Sequence, residues 1–234
     1  MVRVSEIFGP TVQGEGPLIG KPTVFVRTGG CDYRCVWCDT MFAALPEHSQ
    51  TWAPMSAEEI LDQVKKLSGG QPILITLSGG NPAMQDLEPL IKLGKSQGFS
   101  FSLETQGSIP RDWFSQLDWL FVSPKPPSSQ ETPDWSQIEA CVNAAGSADI
   151  AMKVPVFDEI DYEFAKSVEK RFPTLPLYLQ VGNEQTSTED TKALHEHMIG
   201  RYRWLVDLIA RDQWYSPTIL PQLHAIIWGN ERKR

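Results

Sequence analysis

A chain of 234 residues with 41% hydrophobic content can bury one sizeable core, and a single domain over residues 1–234 is the expectation. Its 29 acidic against 21 basic residues leave a formal charge of −8, which argues against a nucleic-acid binder held by phosphate contacts. No apolar run approaches the roughly 18 residues of a membrane span, and the first residues lack a signal-peptide core, so a soluble cytoplasmic protein with no membrane partner is expected.

Val2–Phe8 has strand character and leads into a Gly/Pro-rich loop over Gly9–Gly20. Thr23–Arg27 alternates with β-branched residues and reads as a strand, ending at Gly29-Gly30. A cysteine-rich loop over residues 29–40 follows, and Phe42–Pro54 reads as further loop. Ser56-Ala57-Glu58-Glu59 has the form of a capping box and predicts a helix to about Leu67. Pro72–Leu77 reads as a buried parallel strand. The turn Ser78-Gly79-Gly80 then leads to Asn81-Pro82, an N-cap and first-turn pair, and to a helix through about Ser96.

Strand and helix keep alternating. Phe99–Glu104, Trp119–Val122, Ala148–Val156 and Leu177–Val181 read as strands. Arg111–Gln116, Trp135–Ala145 and Asp161–Phe172 read as helices, and Ser187–Asp212 as one long helix with a break near Gly200. Ser123–Pro133 is too rich in proline for either. The tail, residues 218–234, is apolar with Gln222 and His224 in it. This pattern predicts an α/β fold: an incomplete, open TIM-like barrel of about six parallel strands with right-handed crossovers. In such folds the site lies at the carboxyl ends of the strands. Arg27, Ser78-Gly79-Gly80, Glu104, Ser123-Pro124-Lys125 and Gln180 all fall at or just past predicted strand ends.

Cys31, Cys35 and Cys38 are spaced Cys-x3-Cys-x2-Cys, whereas Cys141 stands far along the chain on a helix and reads as core. Three thiolates on one loop suit a 4Fe–4S cluster with one iron left open, since a closed site takes four cysteines. They also suit a structural Cys3His zinc site with His48 as fourth ligand, although no second knuckle is present. From the segment alone both stay open, with disulfides a third option. The Gly79-Gly80 pair reads either as a tight strand–helix turn or as a place where backbone approaches a ligand. His195 and His197 lie on a polar helix and read as exposed, and Lys153 within an apolar strand has no assigned role.

Cys31-x3-Cys35-x2-Cys38 with Trp37 before the last cysteine resembles the cluster loop of the radical S-adenosylmethionine (SAM) superfamily. Ser78-Gly79-Gly80-Asn81-Pro82 resembles its glycine-rich SAM-binding turn, with Asn81 where Glu is usual. Phe8–Gly16, Val26–Cys31, Cys38-Asp39-Thr40, Leu103–Gly107, Ser123–Pro127 and Leu220–His224, in that order, are similar to the 7-carboxy-7-deazaguanine synthase family. The resemblance runs from Glu6 to Asn230.

The resemblance implies a lyase of deazapurine biosynthesis acting on 6-carboxy-5,6,7,8-tetrahydropterin, with SAM regenerated as a cofactor. It implies that Cys31, Cys35 and Cys38 hold the 4Fe–4S cluster and that Thr40 supplies an oxygen to Mg²⁺. SAM falls to Trp37, Cys38, Asp39, Gly79, Gly80, Glu104, Ser123, Pro124, Lys125 and Gln180. The pterin falls to Val12, Gln13, Gly14, Glu15, Arg27, Ser78, Gln222, His224 and Asn230. The residue types suit this: Arg27 is a planar fork for a carboxylate, Glu15 accepts from paired N–H groups, and Gln13 both donates and accepts. A flavodoxin- or ferredoxin-type reductant and a homodimer are implied as well; Tyr202, Trp204 and Trp214 offer an apolar face for it, although aromatic residues at helical spacing are more often core. Two other functions are kept beside this one: a glycyl-radical activating enzyme of the same superfamily, and a zinc-binding interaction module without activity.

Overall fold

The computed structural model describes residues 1–233. β1 (Val2–Val12) and β2 (Pro22–Thr28) form an antiparallel pair, joined by a loop that carries one short 3-10 turn. The cysteine loop leads to α1 (Met41–Ala44), a 3-10 segment and β3 (Ala53–Met55). Then come α2 (Ala57–Leu67), β4 (Leu74–Gly79), α3 (Glu88–Lys95), β5 (Ser100–Thr105), β6 (Trp119–Val122) and α4 (Trp135–Ala144). β7 (Asp149–Val156), α5 (Glu159–Arg171), β8 (Leu177–Val181), α6 (Thr191–Asp212), β9 (Thr218–Leu220) and α7 (Leu223–Trp228) complete the chain.

The nine strands form one sheet in the order β3-β1-β2-β4-β5-β6-β7-β8-β9, and its two edges do not meet. From β2 through β9 every pairing is parallel, so the predicted open parallel sheet is observed, extended by an antiparallel pair on one side. Parallel strands bury both faces. β4 shows it as the run Leu74-Ile75-Thr76-Leu77, all buried, with Thr23, Thr76 and Ser102 satisfying one another through hydroxyl contacts of 2.8 and 3.1 Å. Helices α2–α6 pack their apolar stripes on the outer face around Ile60, Leu90, Ile138, Tyr162 and Leu205. Cys141 is buried among them, as its helix position predicts.

The structure corrects several boundaries. β1 runs on through Val12, so Gly9–Val12 are strand and not loop. Residues 42–54 are not loop throughout: β3 pairs with β1, and Pro54 is tolerated because β3 is the sheet edge. Asn81 does cap, its side chain accepting from Ala83 N–H, but only a 3-10 turn over Pro82–Met84 follows. The α-helix restarts at Glu88 because Pro89 tolerates only a first-turn position. Residues 112–116 form a 3-10 turn and not an α-helix. α6 begins at Thr191, capped by Asp190, and does not break at Gly200. Gly200 costs about 1 kcal/mol in a helix interior, which burial of Leu194, Met198, Leu205 and Leu208 on either side offsets. β9 escapes a pattern reading because Pro217 and Pro221 bracket its three residues.

At α2 the capping box is complete: Glu59 N–H donates to Ser56 Oγ at 3.2 Å and Ser56 N–H donates to Glu59 Oε2 at 2.7 Å. Replacing Ser56 with Ala is expected to lower unfolding free energy by about 1 kcal/mol, read from urea unfolding followed by circular dichroism, with the folded spectrum unchanged.

Candidate active site at the carboxyl ends of the strands

Because β2 and β4–β8 run parallel, their carboxyl ends open on one side of the sheet. A cavity of about 440 Å³ lies there, walled by the cysteine loop, the strand ends and the C-terminal tail. Each site residue expected from the sequence lines it except Pro124, which is buried. Alternation along β4 and β5 sends Ser78 and Glu104 to this wall.

The cysteine loop is held by backbone contact. Gly30 N–H and Cys31 N–H donate to Ala43 O and Ala44 O at 2.7 and 3.2 Å. A β-carbon at Gly80 would lie 2.1 Å from Gly30 O and 3.0 Å from Cys31 Cβ, and one at Gly79 would lie 2.3 Å from Thr28 O. The glycine pair is therefore required by the close approach of β2 and β4, whatever else binds there. Asn81, fully buried, ties the same junction. Its Nδ2 donates to Asp32 Oδ1 at 2.9 Å and Ser108 Oγ at 3.0 Å, and its Oδ1 accepts from Thr105 Oγ1 at 2.9 Å. Gln106 Nε2 donates to the same Asp32 oxygen at 2.7 Å. A carboxylate at position 81 would face Asp32, which is a physical reason for Asn here instead of Glu.

Cys31, Cys35 and Cys38 are free thiols, half-buried on the cavity wall. Burial pushes the Cys31 thiol up and the Cys35 thiol up to about 11, so metal loading must displace protons. Cys141 is buried elsewhere, its thiol directed to Gly107 O, and supplies no fourth ligand. His48, the fourth ligand of the zinc alternative, is not on the cavity wall and sits beside Glu47 at 3.9 Å. Thr40 Oγ1 lies 3.6 Å from Cys38 Sγ. Trp37 stacks on Phe157 with ring centroids 4.7 Å apart and donates to Ser128 Oγ at 3.0 Å. Lys125 reaches over the Trp37 ring and donates to Ser123 Oγ at 3.2 Å. Ser78 Oγ, Gln180 Oε1 and Gln222 Oε1 are buried without a hydrogen-bond partner among the described residues. Orphaned polar atoms on a cavity wall mark places for a ligand. Three free thiols on one loop, beside such groups, fit a three-cysteine cluster and a polar nucleotide.

Across the cavity, Lys153 forms ion pairs with Glu15 and, at 3.3 Å, with Glu104. Gln13 Nε2 donates to Glu104 Oε1 at 2.7 Å and Gln222 Nε2 to Glu15 Oε1 at 2.9 Å. Burial opposes ionisation of Glu15, but the Lys153 ammonium, then His224, outweigh it and lower its pKa to about 2. Burial likewise opposes the Lys153 charge, and Glu104 and Glu15 overcome it, raising its pKa above the ordinary lysine value.

The tail docks on the loop after β1. Leu223 N–H donates to Gly14 O at 3.0 Å, and a β-carbon on Gly14 would strike the His224 ring at 2.4 Å. Asn230 lines the cavity, but its amide is tied to Asn183, Gln185 O and Thr188 O at 2.8–3.0 Å, a tether for the tail. Gln180 Nε2 likewise donates to Pro221 O at 3.0 Å. Arg27 pairs through Nε with buried Glu6 at 3.0 Å, and Arg232 pairs with the other Glu6 oxygen at 2.9 Å. Both guanidinium groups lie over the Phe42 ring.

The sequence singled out Lys153 without giving it a role, and Glu6, Arg232 and Phe157 were not among the expected site residues. For Lys153 the signal was present: a lone ammonium in an apolar strand needs partners. Arg232 has no such signal, since its place depends on the tail's path. The aromatic residues offered for a dimer face are largely packed inward. Tyr202 donates to Ile219 O at 3.1 Å, Trp214 donates to Glu169 Oε2 at 2.7 Å, and Trp204 lies under Arg201. His195 is exposed, whereas His197 is half-buried against Glu184 at 3.2 Å.

Changing Asn81 to Asp sets two carboxylates against each other and removes a buried donor. A loss of about 1–3 kcal/mol in unfolding free energy is expected, with lower iron uptake on reconstitution; urea unfolding and iron analysis check it.

The comparisons with known proteins agree with this geometry. The Radical SAM superfamily model matches residues 25–120. The 7-carboxy-7-deazaguanine synthase of Bacillus subtilis is 43% identical, covering 99% of this chain and 98% of that protein. That of Bacillus cereus is 41% identical, with 99% and 98% covered. The crystal structure of QueE from Escherichia coli superposes with a TM-score of 0.69 at 23% identity, covering 95% of this chain and 94% of the other, and shares the fold. With near full-length identity above 40% to two synthases and the cysteine loop in the matched region, the chain belongs to the 7-carboxy-7-deazaguanine synthase family of the radical SAM superfamily.

Proposed function

We propose that the protein is a radical SAM carbon–nitrogen lyase that converts 6-carboxy-5,6,7,8-tetrahydropterin to 7-carboxy-7-deazaguanine with loss of ammonia. The observation that carries this reading is a single cavity joining the three-thiol loop to a donor and acceptor set matched to a carboxylated pterin. Cys31, Cys35 and Cys38 would hold the 4Fe–4S cluster. When bound, the cluster and SAM together supply a carbon-centred radical for hydrogen abstraction.

The rest is positioning by this chain. Arg27, anchored by Glu6, offers a charged fork to the substrate carboxylate. Glu15, ionised, accepts from adjacent pterin N–H groups, while Gln13 and Ser78 complete the polar edge. Phe8, stacked on Phe25 at 5.0 Å, and Phe42 give apolar surface for a flat ring. Gly79, Gly80, Glu104, Ser123, Lys125 and Gln180 form the SAM side, with Trp37 and Phe157 as a stacking wall. The tail docking through Gln222 and His224 covers the pocket and limits water.

Mg²⁺ belongs to the same proposal. Thr40 lies on the wall beside Asp39, and one hydroxyl suits an ion that takes its remaining ligands from substrate carboxylate and water. A flavodoxin- or ferredoxin-type reductant, a homodimeric state and a cytoplasmic location follow from the family resemblance. Among the described residues no helix is long and apolar enough to cross a membrane.

Anaerobically reconstituted protein with SAM, Mg²⁺, reductant and the tetrahydropterin is expected to form the deazaguanine acid. Formation of 5′-deoxyadenosine alone would favour a glycyl-radical activating role. Zinc in place of iron and sulfide would favour a binding module. Cys35→Ala should lose the cluster chromophore. Arg27→Ala should lower kcat/KM by about tenfold to a hundredfold, as expected for a lost charge-assisted pair, with the chromophore retained.

A further inference from the structure

Lys153 has had no role so far, yet it stands at the centre of the cavity's charge network. It follows Met152 on β7, whose partner on β6 is Val122, so its ammonium emerges at the level where β6 ends. It is 8% exposed. Its partners come from separate parts of the chain, Glu15 after β1 and Glu104 at the end of β5. Each carboxylate turns its other oxygen to an amide, from Gln222 and Gln13 respectively. Glu15 N–H donates to Gln13 Oε1 at 3.2 Å, closing a ring through Gln13, Glu104, Lys153 and Glu15.

Stability alone does not account for this arrangement. A buried ion pair usually yields no more stability than apolar residues of the same volume, and Met152 and Val154 show that β7 is otherwise built of such residues. What the ammonium does is separate two carboxylates that would otherwise face one cavity together.

We propose that Lys153 is a positioning residue: held between Glu15 and Glu104, it keeps Glu15 a pure hydrogen-bond acceptor, the state that receives the paired N–H groups of a pterin. The inference rests on the pterin reading above. Without the ammonium, two like charges share the site and one carboxylate takes a proton. A protonated Glu15 presents a donor to another donor, and the ligand is rejected. Besides Lys153, His224 on α7 acts on Glu15 electrostatically, Glu104 on β5 shares the Lys153 ammonium with it, and Arg27 on β2 lines the same cavity. With Lys153 present, Glu15 stays depressed and the accepting state persists through the neutral and mildly acidic range. With Lys153 removed, its pKa rises, and the accepting state is lost as pH falls through the new value.

The test uses cluster-loaded protein with SAM and follows 6-carboxypterin binding by fluorescence between about pH 8 and about pH 5.5. Wild type and Lys153→Arg are expected to bind with a flat profile. Lys153→Met is expected to bind about tenfold more weakly or worse, and to weaken further as pH falls. Carbon-13 carboxyl NMR on ligand-free protein, with Glu15→Gln assigning the resonance, should show Glu15 titrating at higher pH in Lys153→Met. Lys153→Gln serves with the same expectations should the Met variant fail to fold. An unmoved Glu15 titration, or a flat binding profile without the ammonium, overturns the proposal. The NMR titration needs no ligand, so wild type that refuses 6-carboxypterin overturns the pterin reading separately.

Discussion

The contact of Gly80 with Gly30 is the constraint on which the site depends. It brings the ends of β2 and β4 so close that no side chain fits between them. The cysteine loop leaves the sheet at that junction, and its first cysteine lies over the glycine pair. Asn81 and Gln106 then clamp Asp32, one residue on, from β4 and β5. The loop is long and half-exposed, but its base is pinned by buried amides and backbone contact. Three thiols are thus presented on a firmly held base, which suits the three-cysteine cluster of the proposed function.

The opposite side of the cavity is built on charge instead of backbone. Glu15, Lys153 and Glu104 come from three elements, and none is neutralised locally in sequence. Glu6, Arg27 and Arg232 form a second such group that links β1, β2 and the tail. Both groups include a residue that the tail brings, Gln222 in one and Arg232 in the other. Docking of the tail therefore completes the polar lining as well as covering it. Under the proposed function the two halves divide the work, with the thiol side suited to redox chemistry and the charged side to recognition, and both line one cavity at the strand ends.

Much of this was legible in the residues. Alternating apolar strands and capped helices are local signals, and they determined an open parallel α/β fold with its site at the carboxyl ends of the strands. The capping box at Ser56, the burial of Cys141 and the cysteine spacing were readable for the same reason: each depends on neighbours a few positions away. The edges were not. β3 and β9 have three residues each and carry proline beside or within them, so only pairing with β1 and β8 makes them strands. The restart of the helix at Glu88, with Pro89 in its first turn, was hidden behind a good cap at Asn81.

By itself the sequence determined which chemistry is available: three thiols on one loop, a glycine pair at a strand end, a fork at Arg27 and acceptors at Gln13 and Glu15. Only the tertiary structure decided which groups share a charge. That Lys153 answers both Glu15 and Glu104, that Asn230 tethers the tail, and that Glu6 holds two arginines depend on contacts between residues up to 226 positions apart. Such pairings are set by strand register and by where the tail lands, and no local pattern encodes either, because electrostatic partners need proximity in space and not in sequence.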